Sequence, residues 1–157
     1  MTKELKQQYT VRITQANSTE LVVILYEMLM DYLDDARSAL ADKDIPFFHD
    51  SIRRCTGCVR ELSASINYES NVANNLISLF VYCMKELAKA DLHHTPEDLY
   101  HVELVIKKLH SAFKQIASKD HSPAVMSNTQ TVYAGLTYGK ESLVVNLNTD
   151  ANRGYVV

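Results

Sequence analysis

Apolar residues recur every three or four positions along most of the chain. Phe48, Ile52, Cys55, Val59, Leu62 and Ile66 form one such run. Val72, Leu76, Leu79, Cys83, Leu87 and Ala90 form a second, and Leu99, Val102, Ile106, Leu109, Phe113 and Ile116 a third. Steps of three and four keep a run on one face of a helix. An earlier run holds Leu21, Leu25, Met28, Leu29, Tyr32, Ala36 and Leu40. No alternating strand pattern of useful length precedes residue 128. The spacing therefore predicts four amphipathic helices within residues 17–118. Joined by short links, they make an all-α, antiparallel up-down four-helix bundle the default fold.

The ends of these segments carry matching signals. Asn17 followed by Glu20 has the form of a capping box, in which each side chain satisfies the other's backbone donor. Asp44 precedes Pro46, Ser70 precedes Val72, and Thr95 precedes Pro96, Glu97 and Asp98. Proline at a helix start costs no hydrogen bond. Three of the four glycines lie beyond Pro123, among Asn, Thr and Ser. The chain thus divides into a lead segment (1–16), a packed domain (17–118) and an irregular, flexible C-terminal tail (119–157). In the lead segment Tyr9, Val11 and Ile13 alternate, which suits an extended stretch with one apolar edge. The tail reads as a disordered end, as polar, glycine-containing termini usually are, the alternative being that Leu143 to Leu147 docks over Tyr100 and Leu104.

The first bundle helix carries more apolar surface than one stripe. Glu20, Glu27, Asp31, Asp34 and Ser38 share a polar face, while Val23, Tyr26 and Met30 widen the apolar arc past the core stripe. Tyr100 and Leu104 form a similar surplus on the last helix. Surplus apolar surface is either covered by another part of the chain or forms an interface. Charge is also uneven. Glu20, Glu27, Asp31, Asp34, Asp35 and Asp42 against Arg37 leave residues 17–42 with a net −5, and the next segment, 43–66, is at +1. Opposite signs suit antiparallel neighbours, although exposed pairs contribute only ~0–1 kcal/mol each.

Composition narrows the function. A net charge of −3 disfavours a nucleic-acid binder, which needs a basic face. No apolar run approaches the ~18 residues of a membrane span, and Met1 to Lys6 has no secretory h-region. Three cysteines in a chain of 157 residues suggest reduced thiols in a cytoplasm. Cys55-Thr56-Gly57-Cys58 lies mid-helix, away from the helix start that activates a redox pair, so Cys55 reads as core and Cys58 as a more reactive shoulder position. The histidines, at 49, 93, 94, 101, 110 and 121, are too scattered to predict a metal site. No phosphate loop, nucleophile elbow or zinc-protease motif is present. An enzyme is not expected, nor a cofactor or a small-molecule substrate.

Three stretches carry a family likeness. Tyr9 followed by Ala16-Asn17-Ser18-Thr19-Glu20-Leu21-Val22-Val23-Ile24-Leu25-Tyr26-Glu27 resembles the opening of the FliS family of flagellar secretion chaperones. Ala73-Asn74-Asn75-Leu76-Ile77-Ser78-Leu79-Phe80-Val81-Tyr82 is similar to its A-x-N-L-x-x-L-Y-x-Y stretch, and Ala90-Asp91-Leu92 through Pro96 to its A-N-x-x-x-D-P-E loop. The chain departs from the family at Ser18, Met28 and Phe113, where Pro, Gly and Trp are common. The resemblance covers residues 5–117.

It implies a cytoplasmic chaperone that binds the C-terminal region of flagellin, prevents premature polymerisation and supports delivery to a component of the flagellar type III export gate. The lead segment, with its tyrosine, would lie in the client groove when no client is bound. With the apolar surplus, it gives a candidate client groove of Tyr9, Val23, Tyr26, Met30, Tyr82, Tyr100 and Leu104. The alternative is a structural or regulatory bundle whose apolar surface serves homodimerisation.

Overall fold

The computed structural model describes residues 1–126. Five helices follow one another: α1 (Lys3–Gln15), α2 (Ser18–Ala41), α3 (Ile45–Ala64), α4 (Ala73–His93) and α5 (Pro96–Ala117). Among the described residues there is no strand. Helices α2 to α5 form the bundle. Each packs on its sequence neighbour, and α5 closes against α2, so the four stand in a ring. Helix α1 leans on α2.

The helix starts follow the local chemistry. At α2 the capping box is complete: Asn17 Oδ1 accepts from the Glu20 N–H at 2.8 Å, and Glu20 Oε2 accepts from the Asn17 N–H at 2.9 Å. Asp44 caps α3, accepting from the Phe47 N–H at 3.0 Å. Helix α4 starts at Ala73, later than Ser70 predicts. Residues between Asn67 and Val72 spend their backbone donors on turn bonds, Ser70 N–H to Asn67 O and Ala73 N–H to Ser70 O. Thr95 precedes α5 without a side-chain bond to its backbone. Its hydroxyl instead donates to Asp98 Oδ2 at 2.9 Å. Two tight links use left-handed backbone, at Lys43 (φ 58°) and His94 (φ 53°).

The lead segment is a helix, which corrects the extended reading. Thr2 caps it by accepting from the Leu5 N–H at 3.3 Å. Leu5, Tyr9 and Ile13 then recur every four positions and pack with Ile24 and Ala16, while Val11 points to solvent. The lysines and glutamines between them favour helix. The alternation of Tyr9, Val11 and Ile13 was a sub-pattern of this four-residue repeat.

The core sits inside the ring. Phe48, Cys55, Val59 and Leu62 of α3, Cys83 and Leu87 of α4, and Leu99, Val102 and Ile106 of α5 are fully or almost fully buried. On α2 the most buried side chains are Tyr26, Leu29, Leu33, Ala36 and Ala39. Leu21, Leu25, Met28 and Leu40, assigned to the core stripe, are only half-buried. The cause is that α2 is contacted on three sides, by α1, α3 and α5, so no single stripe describes it. Residues beyond α5 turn back to the α1–α2 junction. The Val125 N–H donates to Ala16 O at 3.0 Å, and the Thr19 hydroxyl donates to Asp120 Oδ2 at 2.5 Å. The proposed docking of Leu143 to Leu147 lies outside the described residues.

Candidate functional site

The residues singled out from the sequence fall in three places. Tyr9 and Val23 lie at the α1–α2 junction. Tyr9 is buried, and its hydroxyl donates to Asp31 Oδ2 at 2.6 Å. Burial, reinforced by that carboxylate, pushes the phenol pKa up. Val23 is buried and lines a cavity of about 310 Å³ with Arg12, Gln15, Ala16 and Glu20. Tyr26 and Met30 form the second group. Tyr26 is 0 % exposed and packs on Phe113 with ring centroids 5.5 Å apart and planes tilted by 47°. Met30 is half-buried against the core. Tyr82, Tyr100 and Leu104 form the third, exposed on α4 and α5 at 39 %, 54 % and 42 %.

Val23 and Tyr26 therefore do not extend an exposed apolar arc. Tyr26 is a core residue because both α3 and α5 close over its side of α2. What reaches solvent nearby is a cavity of about 270 Å³ at one end of the bundle. Tyr26 and Val22 of α2 line it, with Leu62, Ile66, Val72, Leu76, Phe80, Phe113 and Ile116. The four helix ends meet here, and the irregular link from α3 to α4 leaves the gap unfilled. Val72 and Ile116 at its margin, and Tyr68 in the same link, are exposed. The Tyr26 hydroxyl is buried and has no hydrogen-bond partner among the described residues. The signal for this cavity lay in the α3–α4 link, where Tyr68 and Val72 sit among Asn, Glu and Ser. Periodicity alone does not mark it.

Helix α1 is held by polar contacts along one edge of α2. Arg12 pairs with Glu27 at 2.6 Å, Tyr9 with Asp31, and the Met1 ammonium with Asp35. The acceptors recur every four residues, as a helix edge requires. The acidic face of α2 is thus partly covered by α1, and Glu27 also faces His110 of α5; on the same helix Arg37 pairs with Glu103 of α5.

The thiols are structural. Cys55, Cys58 and Cys83 are all buried and free. Burial pushes the pKa of Cys58 and of Cys83 up to about 11, and raises that of Cys55 well above the ordinary thiol value. Cys58 is therefore not the reactive shoulder position expected from the sequence. A different group of side chains converges between α4 and α5. Glu86, Asp98 and His101 bring one ligand atom each within 4.8 Å of one another.

No described helix is long and apolar enough to cross a membrane. A search among curated proteins finds no match. The family model described as flagellar protein FliS matches residues 1–120, the five helices and the turn that follows them. The order of motifs in α2, α4 and the α4–α5 link agrees with that match. The chain belongs to the flagellar protein FliS family, a family of chaperones in flagellar biogenesis.

Proposed function

We propose that the chain is a cytoplasmic export chaperone that binds the C-terminal region of flagellin. Bound flagellin is kept from polymerising and is handed to a component of the flagellar type III export gate. The observation that carries this reading is the solvent-reachable apolar cavity between α2, the α3–α4 link and α5, in a member of this family. The family resemblance implies a flagellin segment bound partly as short helices, and an amphipathic helix anchors apolar side chains in such grooves. Tyr82, Tyr100 and Leu104 add apolar surface on α4 and α5 along which a client could continue. Tyr26 contributes as the floor of the cavity, and α1, through Tyr9, covers the Val23 side of α2 as a plug that a client can displace. Such a chaperone works by mass action, holding the exposed form of its client without a nucleotide.

Isothermal titration with a peptide of the last forty or so residues of the cognate flagellin tests this. Saturable one-to-one binding is expected, weakened by Leu76→Asp or Ile116→Asp at the cavity. No binding by the full chain, or binding indifferent to both changes, would overturn the assignment of the client or of the site.

A further inference from the structure

We propose that the α4–α5 hairpin carries a binding site for a divalent transition metal of the zinc class, with Glu86, Asp98 and His101 as ligands. Glu86 lies on α4, and Asp98 and His101 lie one turn apart on α5. Their nearest ligand atoms all fall within 4.8 Å of one another. His101 Nδ1 is 3.3 Å from Glu86 Oε2, and the three side chains supply three ligands, with water able to take the fourth position. A tetrahedral zinc with bonds of ~2.0–2.2 Å places its ligand atoms ~3.3 Å apart, so each atom need move less than ~1 Å.

The donor set suits the metal. Imidazole nitrogen and carboxylate oxygen together fit zinc and its neighbours better than magnesium or calcium, which take oxygen ligands. An acidic residue and a histidine three apart on one helix, facing a carboxylate on another, is also how helical bundles build metal sites. Glu86 is 4 % exposed, so its carboxylate is fixed by its surroundings. The Lys89 ammonium takes Glu86 Oε1 at 2.6 Å and leaves Oε2 facing His101. The Thr95 hydroxyl donates to Asp98 and orients it, as outer-shell partners do for ligating carboxylates. Lys89 is itself half exposed and can swing outward as the metal's charge arrives.

The test uses the full chain without an affinity tag, under a thiol-free reductant. Zn²⁺ alone is titrated calorimetrically, and Co²⁺ is titrated as the spectroscopic probe. One equivalent should bind with a Kd at or below roughly micromolar, and Co²⁺ should show the intense visible bands of a tetrahedral site. His101→Ala and Asp98→Asn should each weaken binding at least about tenfold, the scale on which even outer-shell losses are felt. Both positions are at or near the surface, and circular dichroism checks that the variants fold. His49→Ala should change nothing. His49, whose Nδ1 is 2.6 Å from Asp91 and whose ring lies 5.2 Å from that of His94, forms the nearest rival cluster. Absence of saturable binding, binding retained in both hairpin variants, or binding abolished by His49→Ala would each overturn the proposal.

Discussion

At the scale of single residues, Tyr26 shows how a side chain can be core and site wall at once. Its ring is enclosed and its hydroxyl has no partner among the described residues. Leaving such a group unpaired costs ~1–3 kcal/mol. Tyr26→Phe should therefore keep the fold and raise unfolding stability by up to ~1 kcal/mol, read as a higher urea midpoint at unchanged slope. Tyr26→Ala should cost ~3–5 kcal/mol, the usual penalty for emptying a buried aromatic site. A urea midpoint lowered by Tyr26→Phe would show that the hydroxyl has a partner in solution. The thiols make a second residue-scale prediction. With pKa values near 11 for Cys58 and Cys83, their thiolate fractions at neutral pH fall ~100-fold or more below a free cysteine's. A disulfide reagent should accordingly label all three cysteines at least about a hundredfold more slowly in the folded chain than in urea. Rapid modification of one native thiol would contradict this. A wheel centred on one stripe places Cys58 on a shoulder, whereas α3 buries both Cys55 and Cys58 between its neighbours.

At the scale of elements, helix caps and proline positions were legible because they depend on three or four adjacent residues. Asn17 with Glu20, Asp44, and Pro96 mark the starts of α2, α3 and α5. The apolar runs of α3 and α5 were legible for the same local reason, except that Ile116, the last of the α5 run, lies exposed. What was hidden depended on partners far along the chain. The buried arc of α2 is set by three neighbours, and the end cavity arises only where four helix ends meet. Helix α1 was hidden by a short alternation lying inside a four-residue repeat. It rests on α2 through one small apolar patch and an edge of polar contacts. Tyr9→Phe removes a hydrogen bond to a carboxylate, a contact on the order of 1.5–3 kcal/mol. Amide exchange over residues 3–15 should then speed up about ten- to a hundredfold, with exchange in α3 unchanged. Deleting residues 1–15 should leave α2–α5 helical and should not weaken the flagellin titration; a much weaker titration would make α1 part of the site. The turn after α5 supplies a pH-dependent tie. Hydrogen bonds from Thr19 and Ser122 hold the Asp120 pKa down to about 2. Because the folded value lies below the ordinary ~3.9, this tie is fully present above about pH 4 and is lost as the pH falls towards 2. Amide resonances of Asn17 to Glu20 should titrate with a midpoint near the lower value, and Asp120→Asn should abolish that titration.

At the scale of the whole molecule, the ring of four helices encloses the main core, and among the described residues the exposed large apolar side chains are spread from Val11 to Met126. Tyr100 and Leu104 are among them, and neither supports the core. Tyr100→Asp combined with Leu104→Asp should shift the melting temperature by less than about 2 °C, as surface changes do. The same pair should weaken the flagellin complex about tenfold or more if the client runs along α5. A large fall in melting temperature would instead assign the two side chains a structural role.

The ring order has a kinetic consequence. Three of its four seams join helices adjacent in sequence, so hairpin formation brings them together with short loops and little entropy lost. The seam between α2 and α5 is the exception, because chain connectivity does nothing to hold those two helices near each other. Arg37 with Glu103, Tyr26 against Phe113, and His110 with Glu27 lie on it, and Thr19 with Asp120 ties the turn just beyond it. Closing that seam is thus the step with the longest loop, and it belongs late in folding. Substitutions there, such as Glu103→Ala, should mainly accelerate unfolding. Those at the α2–α3 hairpin, such as Val59→Ala, should mainly slow folding. A nascent chain would accordingly spend its longest partly folded interval as an open sheet of three hairpins, with the inner faces of its first and last bundle helices still waiting for each other.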